Sequence, residues 1–272
     1  MKNILNSVFE TQHQSAPFEQ IQTSNFIPAL ELEISKTLEE IDHICSNPEK
    51  PTFENTLEAL EESGEQLGII SGILFNLNSA ETSNELQEVT QKAAPLLTKF
   101  QNDVRLNKVL FDRIKSIYDL KETLGLDVEQ LTLIEKEYKG FVRNGALLSP
   151  EDKDKLRLID TELAQLSLSF GEHVLADSQA FELHLTDKKQ LDGLPETSIA
   201  QAEALAKEKN KAGWIFTLDY PSYVPFVTYA DDRELRKEMS LAFGKKGFQD
   251  NENNNETVIL KLVRLKKVAQ IF

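Results

Sequence analysis

Between Pro51 and Ala80 the chain reads PTFENTLEALEESGEQLGIISGILFNLNSA, a pattern that belongs to a helix with one side buried. Leu57, Leu60, Gly64, Leu67, Ser71, Leu74 and Leu77 recur at steps of three and four. They therefore share one face, while Glu58, Glu61, Glu62 and Glu65 fall on the other. Thr52 to Asn55 offers side-chain oxygens to the unpaired amides of a helix start. Asn55 followed three residues later by Glu58 has the form of a capping box. A helix of this kind must bury its apolar face against neighbours, so the stretch predicts a multi-helix protein.

The flanking sequence repeats the theme. Residues before Phe26 mix Gln, Ser, Pro and Phe without a period, which predicts a surface arm pinned by Phe18, Ile21 and Phe26. Pro28 suits the first turn of a helix reaching Cys45, with Leu30, Ile34, Leu38, Ile41 and Cys45 on one side. Further helices are predicted from Ser83 to Phe100, with a kink or break at Pro95, from Val104 to Leu120, and from Asp127 to Arg143. Ser149-Pro150-Glu151-Asp152 starts the longest one, in which Leu156, Ile159, Leu163, Leu166, Phe170 and Val174 hold the three-four spacing.

From Ala180 the period changes to two. Phe181, Leu183 and Leu185 alternate with Glu182, His184 and Thr186, and Trp214 to Leu218 is a second strand-like run, so a small antiparallel pair is predicted. A short helix over Ser198 to Lys209 separates the two runs. After them come an aromatic loop, Tyr220 to Tyr229, and a helix from Asp231 to Phe243 capped by Asp231 or Asp232. In the last segment Val258, Leu262, Leu265, Val268 and Phe272 form one face, and Ile259, Leu260, Val263 and Ile271 widen it. The apolar pattern continues to Phe272, which reads as a truncated helix that absent residues would cover. The expected fold is mainly α, a multi-helix antiparallel array with one small antiparallel strand pair. Its expected parts are an arm over 1–25, a helical lobe over 26–176, and a region over 177–272 holding the strand pair, the aromatic loop and the start of a truncated catalytic helical domain.

Composition narrows the partners. A net charge of −15 repels phosphate backbones, and only Lys261 to Lys267 gathers basic residues, so nucleic acid is excluded as an expected partner. No window offers the roughly 20 apolar residues a bilayer crossing needs. The opening MKNILNSVFETQHQ lacks the apolar run and small-residue cleavage site of a signal peptide, and the single Cys45 has no internal disulfide partner. These features predict a cytoplasmic protein without a membrane partner.

Several word-like segments carry a resemblance. PTFENTLEALEESG, LFNLNSAET, FVRNGALL, PSYVPFVTYADDRELR and the closing RLKK occur in order, and with them the chain resembles the amino-terminal half of the peptidyl-dipeptidase and oligopeptidase A type of peptidase. These belong to the thimet-oligopeptidase family of zinc metallopeptidases. The resemblance implies a helical lobe over a deep cleft that admits only short peptides. It also implies zinc as cofactor of the complete family member, and a carboxyl-terminal catalytic half as partner.

The reacting groups of that family are not written in this sequence. A His-Glu-x-x-His helix would place two zinc ligands one turn apart with a general base between them, and it does not occur. His13, His43, His173 and His184 have no histidine partner at four-residue spacing; the resemblance puts the zinc ligands and the groups that stabilise the tetrahedral intermediate beyond the matched part. His43 with Cys45 reads as a surface histidine beside a buried thiol, not as a metal pair. Paired acids such as Glu61-Glu62 and Asp231-Asp232 read as solvated faces or caps. Neither a serine elbow nor a basic setting for Cys45 supports a nucleophile.

No catalytic or metal-binding residue is therefore expected in this chain, and it is expected to bind no zinc. The candidate substrate contacts are Tyr220, Tyr223 and Tyr229, whose rings, fixed by two prolines, would line a peptide channel; packing of the same loop against the helices is the plainer reading. Two functions compete: the amino-terminal part of a zinc peptidase that acts on short peptides, inactive alone, and a self-standing helical binding protein without catalysis.

Overall fold

The computed structural model describes residues 3–270, so readings that fall on Met1, Lys2, Ile271 and Phe272 lie outside the described residues. In chain order come α1 (Phe26–Ser46), a π-helical turn (Phe53–Glu58) leading into α2 (Ala59–Glu62), α3 (Glu65–Ala80), α4 (Asn84–Arg105), α5 (Lys108–Leu120) and α6 (Val128–Arg143). Then follow α7 (Pro150–Ala180), β1 (Leu183–Leu185), α8 (Glu196–Glu208), β2 (Trp214–Phe216), α9 (Tyr220–Tyr229), α10 (Arg233–Gly244) and α11 (Glu256–Ala269). The fold is mainly α, as the periodicity predicts. Its one sheet among the described residues pairs β1 with β2 antiparallel, Leu183 opposite Phe216 and Leu185 opposite Trp214.

Helix starts follow from local chemistry. Asp127 and Gln130 form a reciprocal capping box at α6, and Ser83 and Asn107 cap α4 and α5 through their side-chain oxygens. In the Pro51–Ala80 stretch the box is Thr52 with Asn55, one step earlier than the predicted Asn55–Glu58 pair. That stretch is also not one helix. It breaks at Gly64, whose φ of +72° is the left-handed conformation glycine adopts without penalty. A Cβ there would lie 2.9 Å from Cγ2 of Thr37 on α1, so close approach as well as backbone geometry demands glycine. α3 buries Leu67 and Leu74 of the predicted row, and with them Ile70 and Asn78, whereas Ser71 and Leu77 are only half-buried.

Two more expectations are corrected in part. Pro95 neither breaks nor ends its helix, since α4 runs unbroken to Arg105. Of the predicted anchors Phe26 is buried in an apolar core and Ile21 packs against it, but Phe18 stays 56% exposed, and Leu5 and Phe9 enter the core as further anchors of the arm. Short side chains secure it: Asn6 donates to the Glu33 carboxylate at 2.8 Å, and Gln66 to the Leu5 carbonyl at 2.6 Å. On α11, finally, no described residue is fully buried; Val258, Ile259, Leu262 and Leu265 are half-buried and Leu260, Val263 and Val268 exposed.

The chain divides into two compact units, with the divisions falling inside α7 and inside α11; one unit comprises Ser167–Leu262 and the other comprises the residues on either side of it. The larger unit holds two apolar cores. Phe26, Ala29, Leu30, Ile70 and Leu74 belong to one, and Ile41, Ile44, Leu110, Ile114, Ile134 and Phe141 to the other. The smaller unit has a core of its own, built from Leu183, Leu185, Phe216, Phe226 and Met239.

Phe141 shows what such packing contributes. It is fully buried, its ring lies 6.2 Å from that of Phe111, and the Arg105 guanidinium sits 4.9 Å above it. Phe141→Ala is expected to destabilise the chain by about 3–5 kcal/mol, the usual cost of emptying an aromatic site in a core. Urea unfolding measures it, and a loss below about 1 kcal/mol would show that this core is loosely packed.

Candidate functional site

The smaller unit contains the aromatic cluster. The sequence reading of Tyr220–Tyr229 as a loop is corrected, because these residues form α9. Pro221 sits in the first turn, where no amide partner is needed, and Pro225 removes only the bond to the Pro221 carbonyl one turn back. Ser222 fixes the entry by accepting the Thr217 amide at 3.0 Å, and the Asp219 carbonyl receives the Tyr223 amide at 2.7 Å.

A helix converts spacing into direction, and so decides which tyrosines meet. Tyr220 and Tyr223, three residues apart, both reach Phe243 on α10. Tyr223 stacks on it at 4.1 Å and 14° between planes, and Tyr220 meets it edge-on at 5.7 Å. The Lys246 ammonium lies 3.7 Å from the centre of the same ring. Tyr220 is 69% exposed, so the cluster presents aromatic surface to solvent. Tyr229 is elsewhere: nine residues from Tyr220, it lies on the opposite side of α9, and its carbonyl stands where a Cβ on Gly193 would come within 2.2 Å. The structure thus joins two of the three candidate tyrosines. It adds Phe243 and Lys246, which the sequence signalled only as an aromatic and a cation at the end of a predicted helix.

Beyond α10 the chain forms a loop around one carboxylate. Asp177 of α7 is 2% exposed and accepts from the Gly247 amide at 2.7 Å and from the Asn251 and Asn253 side-chain amides at 2.9 Å each. Burial pushes Asp177 upward, but Asn253, Asn251, Gly247 and Gln249 all donate to it, and the balance holds it below the usual aspartate range. Asn255, fully buried, closes the loop by donating to the Phe170 carbonyl and meeting Nδ1 of His173 at 2.8 Å. At the sheet, Glu182 bridges Lys209 and Lys211, which lower its pKa to about 2.

These contacts also assign the polar groups considered for chemistry. His184 donates Nε2–H to the Ala212 carbonyl at 2.7 Å, and His13 and His43 are exposed. Burial, helped by Asp42, pushes the Cys45 thiol up, which keeps it protonated and poorly nucleophilic. Among the described residues no three His, Cys, Asp or Glu side chains come together to hold a metal ion. The zinc implied by the resemblance therefore finds no ligand set among them. The arrangement is an exposed cluster of stacked rings with one cation beside it.

Fold and cluster together define a helical lobe joined to a small α+β unit that presents aromatic surface. Residues 25–153 match the family profile described as "Neurolysin/Thimet oligopeptidase, N-terminal domain". Dipeptidyl carboxypeptidase of Escherichia coli is 33% identical over 252 residues, covering 92% of this chain and 37% of that protein. Oligopeptidase A of the same organism is 27% identical over 96% of this chain and 39% of its own length. The thimet-like oligopeptidase of Dictyostelium discoideum is 30% identical over 79% of this chain and 32% of its own length. The chain belongs to the neurolysin/thimet oligopeptidase family and corresponds to the amino-terminal part of its members. It spans less than two fifths of the length of these relatives.

The Asp177 loop and the Glu182 bridge both predict acid sensitivity. Each carboxylate has a folded-state pKa below its ordinary one, so its stabilisation is present above the ordinary carboxylate pKa and is lost as pH falls below it, for Glu182 between about 4.5 and about 2. Asp177→Ala strands the buried donors of the loop; it is expected to cost about 3 kcal/mol and to make acid unfolding of the smaller unit less steep. Circular dichroism titration from pH 7 to 2 tests both, and an unchanged acid profile for the variant would remove Asp177 from this role.

Proposed function

We propose that this chain is the amino-terminal helical part of a zinc metallopeptidase of the peptidyl-dipeptidase or oligopeptidase type, which hydrolyses short peptides. In this reading the helical lobe covers the substrate cleft and restricts it. A folded protein would have to lose its structure to enter a narrow channel, so only short flexible chains reach the reacting centre. The observation that carries the reading is the continuous likeness to dipeptidyl carboxypeptidase over 92% of the chain. Water activation and zinc binding belong to a carboxyl-terminal half that acts as its partner.

The aromatic cluster takes the substrate-contact role in this proposal. Tyr220 and Tyr223, backed by Phe243, offer rings on which apolar peptide side chains stack, and Lys246 offers a cation to a peptide carboxylate. Tyr229, on the opposite side of α9, makes any contact separately. A cytoplasmic setting fits: no helix among the described residues is long and apolar enough to cross a membrane, and one relative is named a probable cytosolic oligopeptidase A.

The alternative is a self-standing helical binding protein without catalysis. Assay of the purified 272-residue chain with short peptides and added zinc tests the main reading. No hydrolysis is expected, and chelator-sensitive cleavage would overturn the division of labour. The intact mass of the polypeptide bearing this amino terminus in its source cells separates the two readings: a heavier, zinc-containing species supports the peptidase, and 30.8 kDa supports the binding protein. In the peptidase, Tyr223→Ala is expected to raise KM several-fold with kcat nearly unchanged, because the ring contributes binding and no chemistry. Steady-state kinetics decide this, and a fall in kcat at constant KM would refute a binding role.

A further inference from the structure

From Gln66 to Ala80 helix α3 carries no charged residue, in a chain that is 28% Asp, Glu, Lys and Arg. Its inner side is already occupied, since Leu67, Ile70, Leu74 and Asn78 are buried in the lobe. The outer side presents Gly68, Ile69, Gly72, Phe75, Asn76 and Ser79, all exposed. Ile69 is 40% and Phe75 37% exposed. An outward helix face would ordinarily bear the charges that keep it wet, as the Glu-rich face of the preceding segment does.

The two glycines add an independent observation. Cβ atoms built at Gly68 and Gly72 meet nothing within 4 Å. Neither adopts a positive φ. Glycine inside a helix is less favourable than alanine, so neither the backbone nor the packing of this chain accounts for the choice. One turn apart, the pair leaves a shallow trough in which another backbone can approach the helix closely, with Ile69 and Phe75 as its apolar walls.

We infer that the Gly68–Gly72–Phe75 face of α3 seats an uncharged helix from the carboxyl-terminal portion that the longer relatives carry, and this rests on reading the chain as the amino-terminal part of such a peptidase. Two observations select that occupant. The relatives extend far beyond the matched region, which spans 37% of dipeptidyl carboxypeptidase and 39% of oligopeptidase A. A second copy of this chain is disfavoured because two bodies of charge −15 repel each other, whereas a segment of the same polypeptide is held at high effective concentration. The occupant's contact side is uncharged, since a charge buried against this face would find no partner.

Hydroxyl-radical footprinting of the 272-residue chain, and of the longest polypeptide with this amino terminus isolated from its source cells, tests the seat. Phe75 and Ile69 are expected to oxidise readily in the 272-residue chain at every concentration, and several-fold more slowly in the longer species. Equal oxidation in the two overturns the inference, as does the absence of any longer species. Protection that grows with concentration in the 272-residue chain also overturns it, in favour of self-association. Gly72→Ala gives a second readout: in the 272-residue chain it should raise Tm by about 2–4 °C, and in the longer species lower it. A lower Tm in the 272-residue chain would show that the glycine serves this chain's own packing and would overturn the inference. A longer species that hydrolyses peptides with Phe75 still open sinks the seat and leaves the function standing. One with Phe75 protected but without activity supports the seat and sinks the function.

Discussion

Helix α1 has to serve two apolar cores at once, and the larger unit is arranged around that demand. Its first turns deliver Phe26, Ala29 and Leu30 to one core, and its last turns deliver Ile41 and Ile44 to the other. Between them the buried positions are Glu33 and Thr37, both polar; Glu33 binds neighbouring side chains, while the Thr37 hydroxyl donates to the Glu33 carbonyl of its own helix. Glu33 takes Asn6 and Lys36, so the arm is fastened where the first core ends. Thr37 is the close neighbour of Gly64, and Glu40, one turn further along, accepts the Gly64 amide at 3.1 Å. The helix that passes α1 at this point must bend away, and it does so at the one residue that tolerates both the φ and the contact.

This explains why much of the lobe was legible and why its central stretch was partly misread. Three-four spacing located α1, α5 and α6 because those helices bury a stripe each, and stripe and period then coincide; α7 forms where the spacing predicts it, but of its row only Leu156 is fully buried and Phe170 is exposed. Period alone did not find the break at Gly64, since Leu60, Gly64 and Leu67 continue the spacing across it; the break comes from Thr37, a residue distant in sequence. Pro95 misled in the opposite direction. Its missing amide predicts a kink or a break, but the other backbone bonds of α4 hold the helix through to Arg105. In the arm Ile21 and Phe26 pack as the sequence suggests, while Phe18 does not, and Leu5 and Phe9 join the first core.

The candidate site divides along the same line. Rings in PSYVPFVTY were visible as a feature, but two prolines suggested a loop, and in a loop the three tyrosines have no fixed directions. As a helix the segment sends Tyr220 and Tyr223 to Phe243 and Tyr229 to the other side. Asp177 was hidden for a different reason. Nothing in the sequence near Asp177 shows that its donors lie some seventy residues on, at Gly247, Asn251 and Asn253. An asparagine-rich run reads as irregular polar loop until a buried carboxylate is found to need its amides.

Helices α3 and α11 both expose apolar side chains, and the chemistry beside those side chains separates them. On the outer side of α11, Leu260 and Val263 stand next to Arg264 and Lys267, whose long stems can lie over apolar surface while their charges stay in water. The outer side of α3 has no such residue from Gln66 to Ala80, and two of its positions have no side chain at all. Water gains no charged group there to hydrate, and the bare backbone at Gly68 and Gly72 adds helix instability without any compensation from this chain. The total of exposed apolar residues is thus a weaker guide to a docking face than the absence of charge together with unexplained glycine, and by that criterion α3 is the face the fold leaves to be covered.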